Sequence, residues 1–504
     1  MERRGYLRNV ASNWSRLVVS IFVGLVMTPL FIRYLGKSTY GVWLLIHSVV
    51  GYYGLLDLGI RSAVVRYVSR DLARADLRAV NETLNTSLVL YSGIGLAALG
   101  VSGALAAVLP SIEGFAAARH PHAGTLILLV GAAIAVSFPG RLLEGVLSAA
   151  ERFTVSNGIG IVFSLMRNGV FLAVLLLGGG LMDLAWVLLI ETVVHKLVTA
   201  IVVLRQVPGL RISPGAAARH RVRQIFGYGI HTFLAQAGDR LRLYTDSIVI
   251  GAFLPAQAIT LFNVGNRPLN YLSRITLGIS RVLTPAFSRT EASNGETELR
   301  RLLVVGTRST ALLAALICLV LALSGERLIR LWVGEGFSES VTVLLILVPA
   351  YLLAASQTPV NSILYGTSRH QLLSRLTLAE GVVNLGLSLW WVQLWGIAGV
   401  ALGTALPMIV VRFVLLPLYA CRTVGLTYAG YLGRSLGPAV PALVVTAVAG
   451  WLLRSAVPGV DLLSVAALVG AIVGIYGLVA LATLYVTRDA LLPERWRRSG
   501  RHGA

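Results

Sequence analysis

Three arginines, Arg267, Arg274 and Arg281, recur every seven residues inside a run that is otherwise largely apolar. Seven residues is close to two helical turns, so the three guanidinium groups stack on one face over roughly 21 Å. A guanidinium stays charged when buried and grips phosphate oxygens through a planar fork. A ladder of this kind suits a phosphate-bearing anion, with Arg281 expected to snorkel to the membrane surface. Other charges interrupt apolar runs in the same way: Arg167, then Asp239, Arg240, Arg242 and Asp246. Arg240 extends the cationic lining, whereas Arg242 and Asp246, four residues apart, also fit a structural ion pair. Asp57 and Arg61 share that spacing and read either as a helix-end pair or as the mouth of a polar path. A second chemistry is proton transfer. Glu191 and His195 face the same way, as do Glu380 and Asn384. Imidazole titrates near neutrality, so Glu191, His195 or Glu380 are coupling candidates. A hydrogen-bonded pair that merely joins helices fits them equally well. Arg141 with Glu144, after Pro139, marks a helix end or kink.

The elements that must position these side chains are membrane helices. Of 504 residues, 56% are hydrophobic and 13% charged, with a mean hydropathy of +0.77. A soluble chain carries about a quarter of its residues as charges. Lipid offers the backbone no hydrogen bonds, so spans are helices or a closed barrel. Apolar runs of around 20 residues without strict alternation select helices. Fourteen are expected, near 14–34, 40–60, 84–109, 124–149, 156–178, 183–204, 224–253, 257–285, 302–323, 340–365, 371–393, 396–418, 434–454 and 462–486. The fold class is therefore an all-α polytopic membrane protein.

Arginine sets the orientation. Arg3, Arg4 and Arg8 precede the first span, and Arg66, Arg70, Arg74 and Arg78 follow the second at i+4 spacing, as one basic stripe on a helical extension. Arg205, Arg211, Arg219, Arg221 and Arg223 follow the sixth, and Arg488, Arg495, Arg497, Arg498 and Arg501 form the tail. The alternate loops "LGGGLMD", "FLPAQA" and "QLWG" carry no positive charge. Both termini are thus expected to be cytoplasmic. The net charge of +21 is a topology signal of this kind and not a nucleic-acid footprint. A faint repeat relates Leu147, Ala149 and Arg152 to Leu364, Gly366 and Arg369 at one constant offset. It suggests six-helix lobes at 1–206 and 207–422, followed by two extra helices and a tail at 423–504. Cys318 and Cys421 lie within or at the end of apolar runs and suggest neither a disulfide framework nor a metal site. No Walker loop or enzyme signature is present, and nothing asks for a cofactor.

Several segments look familiar. "LFIRYLGKSTYGVWLLIHSVVGYYGLLDLGIRSAVVRYVSR", "YTDSIVIGAFL" and "GIAGVALGTALPMIVVRFVLLPLY" resemble the polysaccharide-transporter (O-antigen flippase-like) family. That family shows an R-x-L-G…Y-G-x-W turn and an L-D-L-G ending to the second helix. The resemblance implies a bacterial inner-membrane protein with two lobes around a central cavity. It would move a polyprenyl-pyrophosphate-linked oligosaccharide from the cytoplasmic to the periplasmic leaflet by alternating access. Its partners would be that glycan, membrane lipids, and polysaccharide polymerase and export proteins. A lipid II flippase and a small-molecule or multidrug exporter on the same fold are the alternatives. A membrane glycosyltransferase or polymerase would want a long periplasmic loop or an acidic catalytic cluster, and neither is visible.

Overall fold

The computed structural model describes residues 3–108, 111, 120–293, 295–457 and 459–486. Among the described residues every regular element is helical. They divide into two compact units, Met1–Thr260 and Leu261–Ala504. The first holds α1 (Arg3–Gly51), a 3-10 turn (Tyr52–Asp57), α2 (Ile60–Ala73), α3 (Leu77–Val108), α4 (Ala123–Ala149), α5 (Phe153–Leu176), α6 (Leu181–Gln206) and α7 (Arg219–Phe253). α8 (Ala256–Ala292) contains the boundary. The second holds α9 (Glu296–Val333), α10 (Ser338–Ser356), α11 (Thr358–Gly366), α12 (His370–Met408), a π-helical turn (Ile409–Leu415), α13 (Leu416–Thr423), α14 (Tyr428–Leu436), α15 (Val440–Ala456) and α16 (Leu462–Val486).

Ten of the described spans are long and apolar enough to cross a bilayer. Two of these, Ala11–Asp57 and Gln371–Thr423, run to 47 and 53 residues, enough for two crossings each. Each breaks at a glycine. Gly36 takes φ 80°, and Phe31 then stacks on Tyr40 at 5.5 Å, which a straight helix would forbid. Gly396 takes φ 56° and ψ −136°, and beyond it Gly403 lies against Ser388. Both are hairpins. α7 and α8, 35 and 37 residues long, complete the expected fourteen despite their charges. Large apolar side chains such as Trp451, Leu478 and Leu481 stand exposed on outer faces, as lipid contact requires. This is a multi-pass membrane protein.

Within the first unit α4 is central, with Leu126, Ile127, Val130, Phe138, Leu142 and Val146 buried at helical spacing. The expected boundary at 206/207 follows the sequence repeat, whereas packing groups α7 with α1, α2 and α3. In the second unit α15 and α16 lie against α9 through Ala315, Leu319, Ala442, Tyr476 and Ala480.

Candidate transport site

The break after α1 positions the first group of charges. Tyr52–Asp57 tightens into a 3-10 turn, and Leu58 (φ 50°) and Gly59 (φ 77°) are both left-handed. Two successive left-handed residues end one helix and re-aim the next. Asp57 and Arg61 are therefore not neighbours on a continuous helix, and the expected pair between them is corrected. Asp57, buried, accepts the Tyr91 hydroxyl at 2.9 Å and the Arg61 backbone N–H at 3.5 Å, an acid at the start of α2. Arg61 turns to Glu144 on α4, 3.8 Å away.

Arg240 of α7 braces the same break. Its Nη1 donates to the Gly51 carbonyl at 3.2 Å and to the Tyr244 hydroxyl at 3.1 Å. A cation at a helix C-terminus satisfies an orphan carbonyl and opposes the dipole. Gly54 leaves room for the guanidinium, since a Cβ there would lie 2.5 Å from Arg240 Cζ. Tyr52 and Thr245 share a hydroxyl bond at 2.6 Å. Arg242 sits 3.9 Å from half-exposed Asp239, and Asp246 is buried.

A polar seam crosses the same unit. Glu144 lies between Lys196 Nζ, at 2.5 Å, and Arg61. One turn along α6, Glu191 meets Arg167 at 3.6 Å and His195 at 3.7 Å. His195 stacks on Phe163 with centroids 4.5 Å apart. A small cleft lined by Arg16, Glu144, Ser156, Gly160, His195 and Thr199 joins the two groups. Arg16 also donates to Asn157 at 3.3 Å, and Asn157 donates to Ser12 and Asn13. The seam thus holds four permanent cations (Arg16, Arg61, Arg167, Lys196) against two carboxylates (Glu144, Glu191). The Arg61 side chain is 46% exposed.

In the second unit Arg267 donates to Tyr271 at 3.2 Å, and Arg274 is exposed. The Arg281 side chain and the arginines of the tail lie outside the described residues. Tyr351 donates towards Asn266 and Asn270 at 3.0 and 3.2 Å, fixing the same face of α8 to α10. Glu380, expected beside Asn384, instead receives Arg412, whose Nε lies 2.9 Å from both carboxylate oxygens. Asn384 donates to Thr404 at 2.7 Å across the hairpin. Arg412 sits in the π-helical turn, where an extra residue re-aims the side chain. Sequence reading passed over Arg412 and Lys196. The available signal was that each is the sole basic residue deep in its apolar run.

A helical membrane bundle with charges sunk in its spans and paired across helices has transporter architecture. The lipid II flippase MurJ, in an inward closed conformation, superposes with a TM-score of 0.67 at 14% identity, covering 96% of this chain and 99% of that one. The chain belongs to the family described as polysaccharide biosynthesis protein, which residues 6–291 match. It is similar to the uncharacterised membrane protein EpsK of Bacillus subtilis, 22% identical over 87% of this chain and 88% of that protein. It is also similar to a candidate O-antigen transporter of Shigella flexneri, 21% identical over 77% and 91%. A candidate flippase of Haloferax volcanii, AglR, is 23% identical over 78% of each chain.

Proposed function

We propose that this protein is a flippase carrying a polyprenyl-pyrophosphate-linked oligosaccharide across the membrane by alternating access. The observation that carries it is the surplus of cations over carboxylates among the charges held in apolar spans. A charge in a span costs several kcal/mol unless it meets a partner or a polar path. The pyrophosphate is a partner that arginine and lysine both recognise. The family and the similarity to an O-antigen transporter and to a flippase support the cargo.

Arg61, Arg167, Arg240, Arg242, Arg267 and Arg274 are the cationic side of the path, tempered by Asp57, Asp239 and Asp246. Glu191, His195 and Glu380 are the titratable groups for coupling to an ion gradient. The repeat halves 1–206 and 207–422 are the bodies that rock, with 423–504 appended. The location is the bacterial inner membrane with both termini cytoplasmic, and polymerase and export proteins are the downstream partners.

Deleting the gene and locating the lipid-linked glycan tests the proposal. Accumulation in the cytoplasmic leaflet is expected. Unchanged glycan with raised drug sensitivity would replace it with the small-molecule exporter.

A further inference from the structure

The arginine-rich end of the first unit contains a polar joint that the transport path does not use. Arg221, near the start of α7, is 8% exposed, yet it reaches acids on two other helices. Its guanidinium lies 3.6 Å from Asp71 at the end of α2 and 3.4 Å from Glu82 in α3. His220 adds a nitrogen 3.7 Å from Glu82, and the Tyr67 hydroxyl of α2 donates to the Gln224 carbonyl at 3.3 Å. α2 itself is tied down by Ser69, which donates to the Ala149 carbonyl of α4 at 3.0 Å.

Each acid also has an arginine on its own helix. Arg70 lies 2.7 Å from Asp71, and Arg78 lies 3.4 Å from Glu82. Removing one partner of a buried pair is costly because it strands a charge. Here, if Arg221 departs, both carboxylates stay paired, and Arg221 keeps the Gln224 amide oxygen at 3.2 Å on its own helix. A joint of exchangeable ion pairs has two satisfied states, which a close-packed apolar contact lacks.

The connection into α7 shows where motion would be taken up. Asn81 and Asn85, one turn apart on α3, each bind the incoming chain with both ends of the carboxamide. Asn81 donates to the Gly209 carbonyl at 3.0 Å and accepts from Arg211 N–H at 2.8 Å. Asn85 donates to the Arg211 carbonyl at 2.8 Å and accepts from Ser213 N–H at 2.7 Å. Residues 209–213 are thereby clipped to α3 as a neighbouring strand would be. Past 213 the chain makes a short 3-10 turn, Pro214–Ala216, closed by Ala216 N–H to the Ser213 carbonyl at 2.9 Å, and Ala218 N–H then donates to the Thr86 hydroxyl of α3 at 2.9 Å.

We propose that Arg221, Asp71, Glu82 and the Tyr67–Gln224 contact form a latch that closes the arginine-rich end of the first unit. The start of α7 swings on residues 214–218 when that end opens. The inference rests on the transporter reading. The test is the Tyr67→Cys/Gln224→Cys double variant in a chain with Cys318→Ala and Cys421→Ala, joined by a cleavable thiol crosslinker as long as a tyrosine side chain. Glycan-lipid translocation is measured on one preparation before crosslinking, after it and after cleavage. A fall of at least about tenfold on crosslinking, reversed by cleavage, is expected of a gating element. Translocation that stays within about twofold throughout overturns the latch and leaves the flippase standing. If the wild-type chain and the unlinked variant both move no glycan-lipid, the transporter reading fails and takes the latch with it.

Discussion

Lys196 is one of only two lysines in the chain, and it lies where three helices bring charge together. Its aliphatic stem crosses Gly140, where any Cβ would collide with it, and its ammonium closes on Glu144. Lys196→Met leaves Glu144 with only the longer contact to Arg61, so a loss of about 3–5 kcal/mol of stability is expected. Glu144→Gln added to Lys196→Met removes the stranded charge and recovers part of that loss. Thermal unfolding of the single and double variants in detergent checks the sign of the coupling. Arg61, Arg267 and Arg274 should behave differently, because the proposal assigns their charge to the cargo, and Arg61 and Arg274 are exposed. Each Ala variant is expected to lower glycan export by about tenfold or more, the worth of a charge-assisted bond, while protein levels hold. Normal export in all three would refute the cationic lining.

At the scale of the element, glycines decide where helices stop, and acids and arginines complete the ends. "GYYGLLDLG" reads as a continuous helix by hydropathy, yet it breaks twice within nine residues. Gly51 and Gly54 admit Tyr244 and Arg240, and Asp57 caps the start of α2. Arg240→Ala is expected to cost about 1–3 kcal/mol by leaving the Gly51 carbonyl unpaired. Arg240→Lys should not restore it, since one ammonium cannot repeat the fork and the ring contact with Tyr244. Gly396 occupies a conformation that side chains avoid, so Gly396→Ala should lower the yield of folded protein through strain of about 1–3 kcal/mol. Fluorescence-detected size exclusion reads both outcomes. The i+4 stripe from Arg66 to Arg78 is the counterexample to periodicity. α2 ends at Ala73, Ala75 turns left-handed (φ 56°), and Arg78 belongs to α3. Nothing in the spacing of four arginines reveals a turn inside it, because the turn is made by left-handed Ala75 and by the Asp76 carboxylate, which caps the start of α3 through Ala79 N–H at 2.9 Å.

For the whole molecule, the orientation expected from the arginines is directly measurable. Arg74→Cys and Leu177→Cys both place an accessible thiol, since both positions are exposed. An impermeant maleimide added to intact cells is expected to label position 177 and not 74; the reverse pattern would invert the topology.

Membrane residence, helical class, the count of crossings and the charge bias of alternate loops are all present in composition and run length. They depend on transfer of whole segments into lipid, a property that sums along the chain. Which charge meets which is not such a sum. Arg61 faced Asp57 by spacing and meets Glu144 in space. Glu380 faced Asn384 and meets Arg412, 32 residues away. Arg221 looked like one more topology arginine until folding set it between Asp71 and Glu82. Partners across helices are chosen by where backbones break and cross, and those positions rest on left-handed residues, a π-helical turn and close approaches at glycine. Only the packed chain contains them.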